Sequence, residues 1–155
     1  MGLCRDDDGT GIGYDRTVGV GLMLVTDAMS TDVLSVGPAH TLRQASALMS
    51  GRRVGAAVVV DPDAHGYGII TERDVMSAVG AGLDPDAETV AGHVTRELVF
   101  ADPGWSIQGA AAAMVRGGFR HLIVVDAGEV CGVVSVRDIV RIWTDQSIEV
   151  MSYRG

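Results

Sequence analysis

Gly68-Ile69-Ile70-Thr71-Glu72-Arg73-Asp74 returns as Gly132-Val133-Val134-Ser135-Val136-Arg137-Asp138, and this recurrence decides the fold. Upstream of it the match continues: Asp27 to Asp61 lies over Gly92 to Asp126 without a gap, at a constant offset of 65 residues. Pro38 falls on Pro103, Thr41 on Ser106, Leu42 on Ile107, Ala45 on Ala110, Met49 on Met114, and Val58-Val59-Val60-Asp61 on Ile123-Val124-Val125-Asp126. A one-residue loop deletion separates the two matching stretches. One supersecondary unit is written twice, which predicts a pseudo-twofold body with two related clefts.

Each unit reads as β-α-β-β-α, so the fold class is α/β, two repeats packed in pseudo-twofold symmetry. Thr41 and Ser106 are hydroxyl caps for helices whose inward faces carry Leu42, Ala45, Leu48 and Met49, and Ile107, Ala110, Ala111 and Met114. Ala56 to Val60 and Leu122 to Val125 are unbroken apolar runs of strand length, expected to be covered on both faces. Thr71 and Ser135 are positioned to cap the helices that carry Val75, Met76 and Val79, and Ile139, Val140 and Trp143. The chain divides into a flexible N-terminal tail (1–22), repeat 1 (23–82), a linker (83–89), repeat 2 (90–146) and a C-terminal tail (147–155). Gly9-Thr10-Gly11-Ile12-Gly13 belongs to the tail, since a nucleotide-binding glycine loop needs a strand before it and a helix after it.

At 155 residues with 47% hydrophobic and 21% charged residues, the chain has a globular composition. It lacks any run near the roughly 18 apolar residues of a membrane span, and its acidic N-terminal region is unlike a signal peptide, so a cytoplasmic protein is expected. All 12 basic residues are arginine, which excludes a P-loop lysine and Schiff-base chemistry. A net charge of −8 argues against nonspecific nucleic-acid binding, although a few local arginines can still hold a small anion in a cleft. His40, His65, His93 and His121 with Cys4 and Cys131 match no metal-ligand spacing, so no metal is expected.

Thr71-x-Arg73-Asp74 and Ser135-x-Arg137-Asp138 carry the chemistry. A helix N-terminus offers free amides and the positive end of its dipole to a phosphate. A hydroxyl, a guanidinium and a carboxylate within four residues add partners for phosphate and for a vicinal diol, each charge-assisted bond contributing about 1.5 to 3 kcal/mol. A single copy reads more simply as a capped helix with a surface ion pair. Two copies favour a site.

At this point the sequence resembles a known family, the tandem cystathionine β-synthase (CBS) domain pair or Bateman module, from Val25 to about Thr144. The resemblance is carried by Asp27-Ala28-Met29-Ser30, by Pro38 to Leu42, by Arg120-His121-Leu122-Ile123-Val124-Val125-Asp126, and by the two Gly-h-h-Thr/Ser-x-Arg-Asp endings. It implies binding of adenosine compounds (AMP, ADP or ATP, or S-adenosylmethionine or NAD) in two clefts between the repeats, the aspartate of one repeat holding ribose. Carried onto this chain, one cleft would use Thr71, Arg73 and Asp74 with Leu98, Val99 and His121. The other would use Ser135, Arg137, Asp138 and Arg120 with Val33, Leu34, Val54 and Ala56. Two departures stand out. Val58 and Ile123 occupy a place where the family often has proline, restoring a backbone donor. Gly55 and Ala56 stand where repeat 2 has Arg120 and His121, so the clefts should differ in charge and affinity.

The expected function is a regulatory or sensor module without catalysis of its own, since no base, nucleophile and oxyanion donor converge in sequence. It would form a homodimer through repeat pairing and act on an unidentified regulated protein. The rival reading is a structural homodimerisation module with non-functional clefts. Arg52 and Arg53 are read as solvating a helix end in preference to contacting phosphate, and Trp105 and Trp143 as packing residues. Asp74→Ala and Asp138→Ala are each expected to remove one binding event and leave the fold intact.

Overall fold

The structure is a computed structural model that describes residues 22–63 and 66–152. Residues 1–21 of the expected tail (1–22), which include Cys4, and His65 lie outside the described residues. Two three-stranded sheets repeat one plan. In the first, β1 (Ser35–Val36) runs parallel to β2 (Ala56–Val60), which pairs antiparallel with β3 (Tyr67–Thr71). In the second, β4 (Phe100–Ala101), β5 (His121–Asp126) and β6 (Glu129–Ser135) do the same. Ser35 faces Val58 across the first parallel pair as Phe100 faces Ile123 across the second, so the sequence offset reappears as strand register.

Helices α2 (Leu42–Arg52) and α3 (Glu72–Gly80) cover the first sheet, and α4 (Ile107–Gly117) and α5 (Val136–Ser152) cover the second. The hydroxyl caps form as the sequence predicts. Thr41 Oγ1 accepts from the Gln44 N–H at 3.2 Å, and Ser106 Oγ accepts from the Gly109 N–H at 3.1 Å. Leu42, Ala45 and Met49 are buried, but Leu48 is 40% exposed and leaves the predicted core face. At 100° per residue it sits about 120° around the helix from Leu42, which the apolar count ignored. Trp105 and Trp143 are also partly exposed, at 36% and 41%. Helix α5 continues to Ser152, beyond residue 146 where the sequence reading ends repeat 2.

The two units exchange their leading segments, which the sequence did not reveal. A single helical turn, α1 (Val25–Ala28), opens repeat 1 yet packs in the core of the second sheet with Ile107, Met114, Leu122 and Ile139. The 3₁₀ turn Val90–Gly92 opens repeat 2 and buries Val90 in the first core with Leu42, Val59 and Ile70. Hydrogen bonds record the exchange in matched pairs. The Val25 N–H donates to the Trp105 carbonyl at 2.8 Å, as Val90 donates to His40 at 2.8 Å. Ser30 and Val133 exchange bonds at 2.9 and 3.0 Å, as Thr95 and Ile69 do at 2.9 Å. The linker is therefore not slack: Leu42 and Arg43, in the first turn of α2, donate to Glu88 and Pro85 at 2.9 and 3.0 Å, satisfying amides that a helix start leaves free.

Between the sheets a third apolar cluster joins Val58, Ile69 and Ile123, with Val33, Ala56, Leu98 and Val133 packed around them. Val58 and Ile123 are the two residues at the proline-preferring place of the repeat, and here they meet at the pseudo-twofold seam. The backbone donor that Val58 restores has a partner, the Leu34 carbonyl at 2.9 Å.

Candidate functional site

The seam leaves two cavities, and each is walled by one repeat's strand-to-helix ending and by the other repeat's approach to its first strand. The first, of about 230 Å³, is lined by Thr71, Arg73 and Asp74 together with Leu98, Val99, Arg120 and His121. The second, of about 1080 Å³, is lined by Ser135, Arg137 and Asp138 together with Val33, Leu34, Arg53, Val54, Ala56, Arg120 and His121. Every residue named from the sequence for a cleft is thus gathered on that cleft's wall. Arg53, Glu72, Glu97 and Arg141 also line the cavities, beyond the residues the sequence points to. Arg120 and His121 line both.

The two aspartates do more than face a cavity. Asp74 Oδ2 accepts from the Thr71 N–H and hydroxyl, both at 2.7 Å, and Thr71 Oγ1 accepts in return from the Asp74 N–H at 3.4 Å. Asp138 repeats this capping box with Ser135 at 2.9, 2.6 and 3.3 Å. One carboxylate oxygen is therefore committed to the helix start and the other remains. Asp74 Oδ1 has no further partner among the described residues, whereas Asp138 Oδ1 lies 3.2 Å from Arg141. Alanine at either position, expected to leave the fold intact, would therefore remove a helix-start contact along with the cavity-facing carboxylate.

Size and charge set the clefts apart. Ligand pockets commonly run from roughly 300 to 1000 Å³, a range the first cavity falls short of and the second reaches. The first holds Arg73 and Arg120 against Asp74 and Glu97. The second holds Arg53, Arg120, Arg137 and Arg141 against Asp32, Glu72 and Asp138. The Asp32, Glu72 and Asp138 carboxylates have guanidinium partners, Arg52 at 3.5 Å, Arg120 at 3.8 Å and Arg141 at 3.2 Å. Among the described residues Arg53 and Arg137 form no ion pair, so the larger cleft is locally cationic in an acidic chain.

Burial, helped by the neighbouring Arg120, pushes the His121 imidazole below its ordinary pKa of 6.5. The folded state then binds fewer protons than the unfolded state as pH falls through that ordinary value, so folding stability is lost toward acid and is complete above it. Melting curves from pH 7.5 down to 5.5 should show this loss, and His121→Gln should flatten part of it. An unchanged pH slope in the variant would remove His121 as its source.

Among the described residues no cluster of three or more His, Cys, Asp or Glu side chains is arranged to hold a metal, and no helix is long and apolar enough to cross a membrane. Cys131 is half-buried and its thiol lies 3.5 Å from the Val124 carbonyl.

Comparison with known proteins agrees with this geometry. The CBS domain family profile matches residues 25–81 and again residues 90–145. Protein MJ1225 of Methanocaldococcus jannaschii is 30% identical over 118 residues, 76% of this chain but 42% of that protein, so the chain corresponds to less than half of this relative. The CBS domain-containing protein YhcV of Bacillus subtilis is 31% identical over 115 residues, covering 74% of this chain and 81% of YhcV. Among solved structures, a CBS domain protein of Pyrobaculum aerophilum complexed with AMP superposes with a TM-score of 0.68 at 27% identity, over 75% of this chain and 89% of that one. The chain belongs to the CBS domain family and carries two copies of that domain, folded as an α/β pair.

Proposed function

We propose that this chain is a non-catalytic regulatory module that binds an adenosine-containing ligand at the seam of its two CBS domains, with the larger cleft as the principal site. AMP, ADP and ATP are the leading ligands, ahead of S-adenosylmethionine and NAD. The single observation that carries the reading is the convergence of Ser135, Arg137 and Asp138 from one repeat with Val33, Leu34, Val54 and Ala56 from the other around one cavity. The apolar side chains suit an adenine ring, the aspartate suits a ribose diol and the arginines suit phosphate. The AMP complex of the Pyrobaculum aerophilum relative supports an adenine nucleotide.

Regulation requires that the ligand favour one of two packings of the chain or of a regulated partner protein, since equal affinity for both states shifts nothing. A homodimer fits this role. Met76 and Val79 on α3 are 67% and 51% exposed, and Val140 and Trp143 at the equivalent places on α5 are 48% and 41% exposed, a pair of apolar faces suited to a second copy. The module would work in the cytoplasm, where adenine nucleotides are abundant. The competing reading, a structural dimerisation module with idle clefts, is favoured by the engagement of both aspartates in helix caps.

Thermal melting separates the two. A nucleotide at about 100 times its Kd stabilises by about 2.7 kcal/mol, which for a chain of this size raises Tm by roughly 5 to 10 °C. A flat response across AMP, ADP, ATP, S-adenosylmethionine and NAD would leave the dimerisation module standing.

A further inference from the structure

Arg53 is held in a backbone conformation that arginine has no reason to choose for itself. It ends α2 in the left-handed region, at φ 57° and ψ 37°, with its N–H donating to the Met49 and Ser50 carbonyls. The matching end of α4 is Gly118, at φ 68° and ψ 17°. Glycine enters this region without the clash between Cβ and backbone that any other residue suffers, and it is the common helix terminator for that reason. Repeat 2 takes the easy solution and repeat 1 does not. The difference falls in the clefts, because Arg53 lines the larger cavity and Gly118 the smaller one.

Three further observations point the same way. Arg53 and Arg137 come from opposite repeats, line the same cavity and have no ion-pair partner among the described residues. Arg52, its chain neighbour, pairs with Asp32 on the cavity wall and so answers one of the cavity's three carboxylates from outside. The first residues of α5, a 17-residue helix, line the cavity as well and bring the positive end of a helix dipole to it. The small cleft also has a helix start, that of α3, and an arginine without an ion pair among the described residues, Arg73, but nothing there corresponds to Arg53, and its Glu97 adds a negative charge without an ion-pair partner among the described residues.

We propose that Arg53 is a specificity-determining residue that makes the larger cleft select phosphorylated adenosine ligands over uncharged ones, in partnership with Arg137 across the seam. The proposal rests on the adenosine reading above and deepens it: the strained helix end is kept because it delivers a second guanidinium to the phosphates. The smaller cleft, with glycine at that place, discriminates little by ligand charge.

Arg53→Gly is an unusually clean test because glycine suits the backbone there. Titration calorimetry on the full chain compares ADP, adenosine and inorganic tripolyphosphate, with melting measured alongside. The expected result is a Tm raised by a few degrees, adenosine affinity unchanged, and ADP affinity lowered about tenfold or more, with partial recovery in Arg53→Lys. A raised Tm with the ADP-to-adenosine preference intact would overturn the proposal and leave Arg53 a helix end only. If neither ADP nor adenosine binds the wild-type chain, the adenosine reading falls. The anion site then stands if tripolyphosphate binds the wild type and not Arg53→Gly, and it falls too if tripolyphosphate does not bind.

Discussion

Gly68→Val and Gly132→Val will each lower the melting temperature by roughly 3 to 10 °C, the consequence of about 1 to 3 kcal/mol of overpacking in a chain of this length. These glycines are equivalent in the two repeats, and each sits where the leading segment of the other repeat crosses a strand. A Cβ on Gly68 would stand 2.4 Å from Val94 Cγ2 and 3.3 Å from the Thr95 carbonyl oxygen. A Cβ on Gly132 would stand 2.6 Å from Met29 Sδ and 3.0 Å from the Ser30 carbonyl oxygen. Backbone oxygen cannot retreat without breaking the paired bonds between Thr95 and Ile69 and between Ser30 and Val133. Met29 can swing away where β-branched Val94 cannot, so Gly68 is expected to be the costlier of the two. Gly51 on α2 serves as the control: a methyl group there would meet nothing within 4 Å, and Gly51→Ala should stabilise by about 0.5 to 1 kcal/mol. Equal melting temperatures for wild type and Gly68→Val would mean that the exchanged segments do not pack as described.

Asp138→Asn is expected to weaken ADP binding at the larger cleft by roughly 10- to 150-fold, the loss of a charge-assisted bond worth about 1.5 to 3 kcal/mol. Asparagine keeps the shape and one oxygen, so it can still accept from the Ser135 N–H that Asp138 Oδ2 now holds at 2.9 Å. It loses the charge and the second acceptor that a ribose diol would use. Folding should suffer by no more than about 1 kcal/mol, which melting without ligand will show. Asp74→Asn should leave ADP binding at the larger cleft untouched, since Asp74 lines only the smaller cavity. Undiminished ADP affinity in Asp138→Asn, measured by calorimetry, would remove the ribose contact from the account.

Much of this is legible in the order of the amino acids alone. The offset between the repeats predicts both sheets, because runs of strand length such as Val58-Val59-Val60 and Ile123-Val124-Val125 are rich in β-branched residues, although Val60 is 44% exposed at the end of its strand, and hydroxyls at Thr41, Thr71, Ser106 and Ser135 mark four helix starts. The composition of each cleft wall is what the family resemblance implies, carried residue by residue onto the two repeats. The exchange of leading segments is not legible: α1 and the turn at Val90 are too short to show a helical period, and their partners lie some 80 residues away or across the linker. Leu48 misleads because an apolar residue near a helical stripe is counted without its angle. Arg53, read from the sequence as solvating a helix end, is set aside for a different reason. Nothing in an Arg-Arg pair at a helix end announces a left-handed backbone, and only comparison with Gly118 in the folded chain makes the choice of residue informative.

The most direct test is an amide chemical-shift map of the full chain titrated with ADP. The account predicts saturable shifts concentrated at 33–34, 53–56, 120–121 and 135–138, the two walls of one cavity drawn from both repeats. Saturable binding that leaves those amides unmoved while shifting residues elsewhere would contradict it.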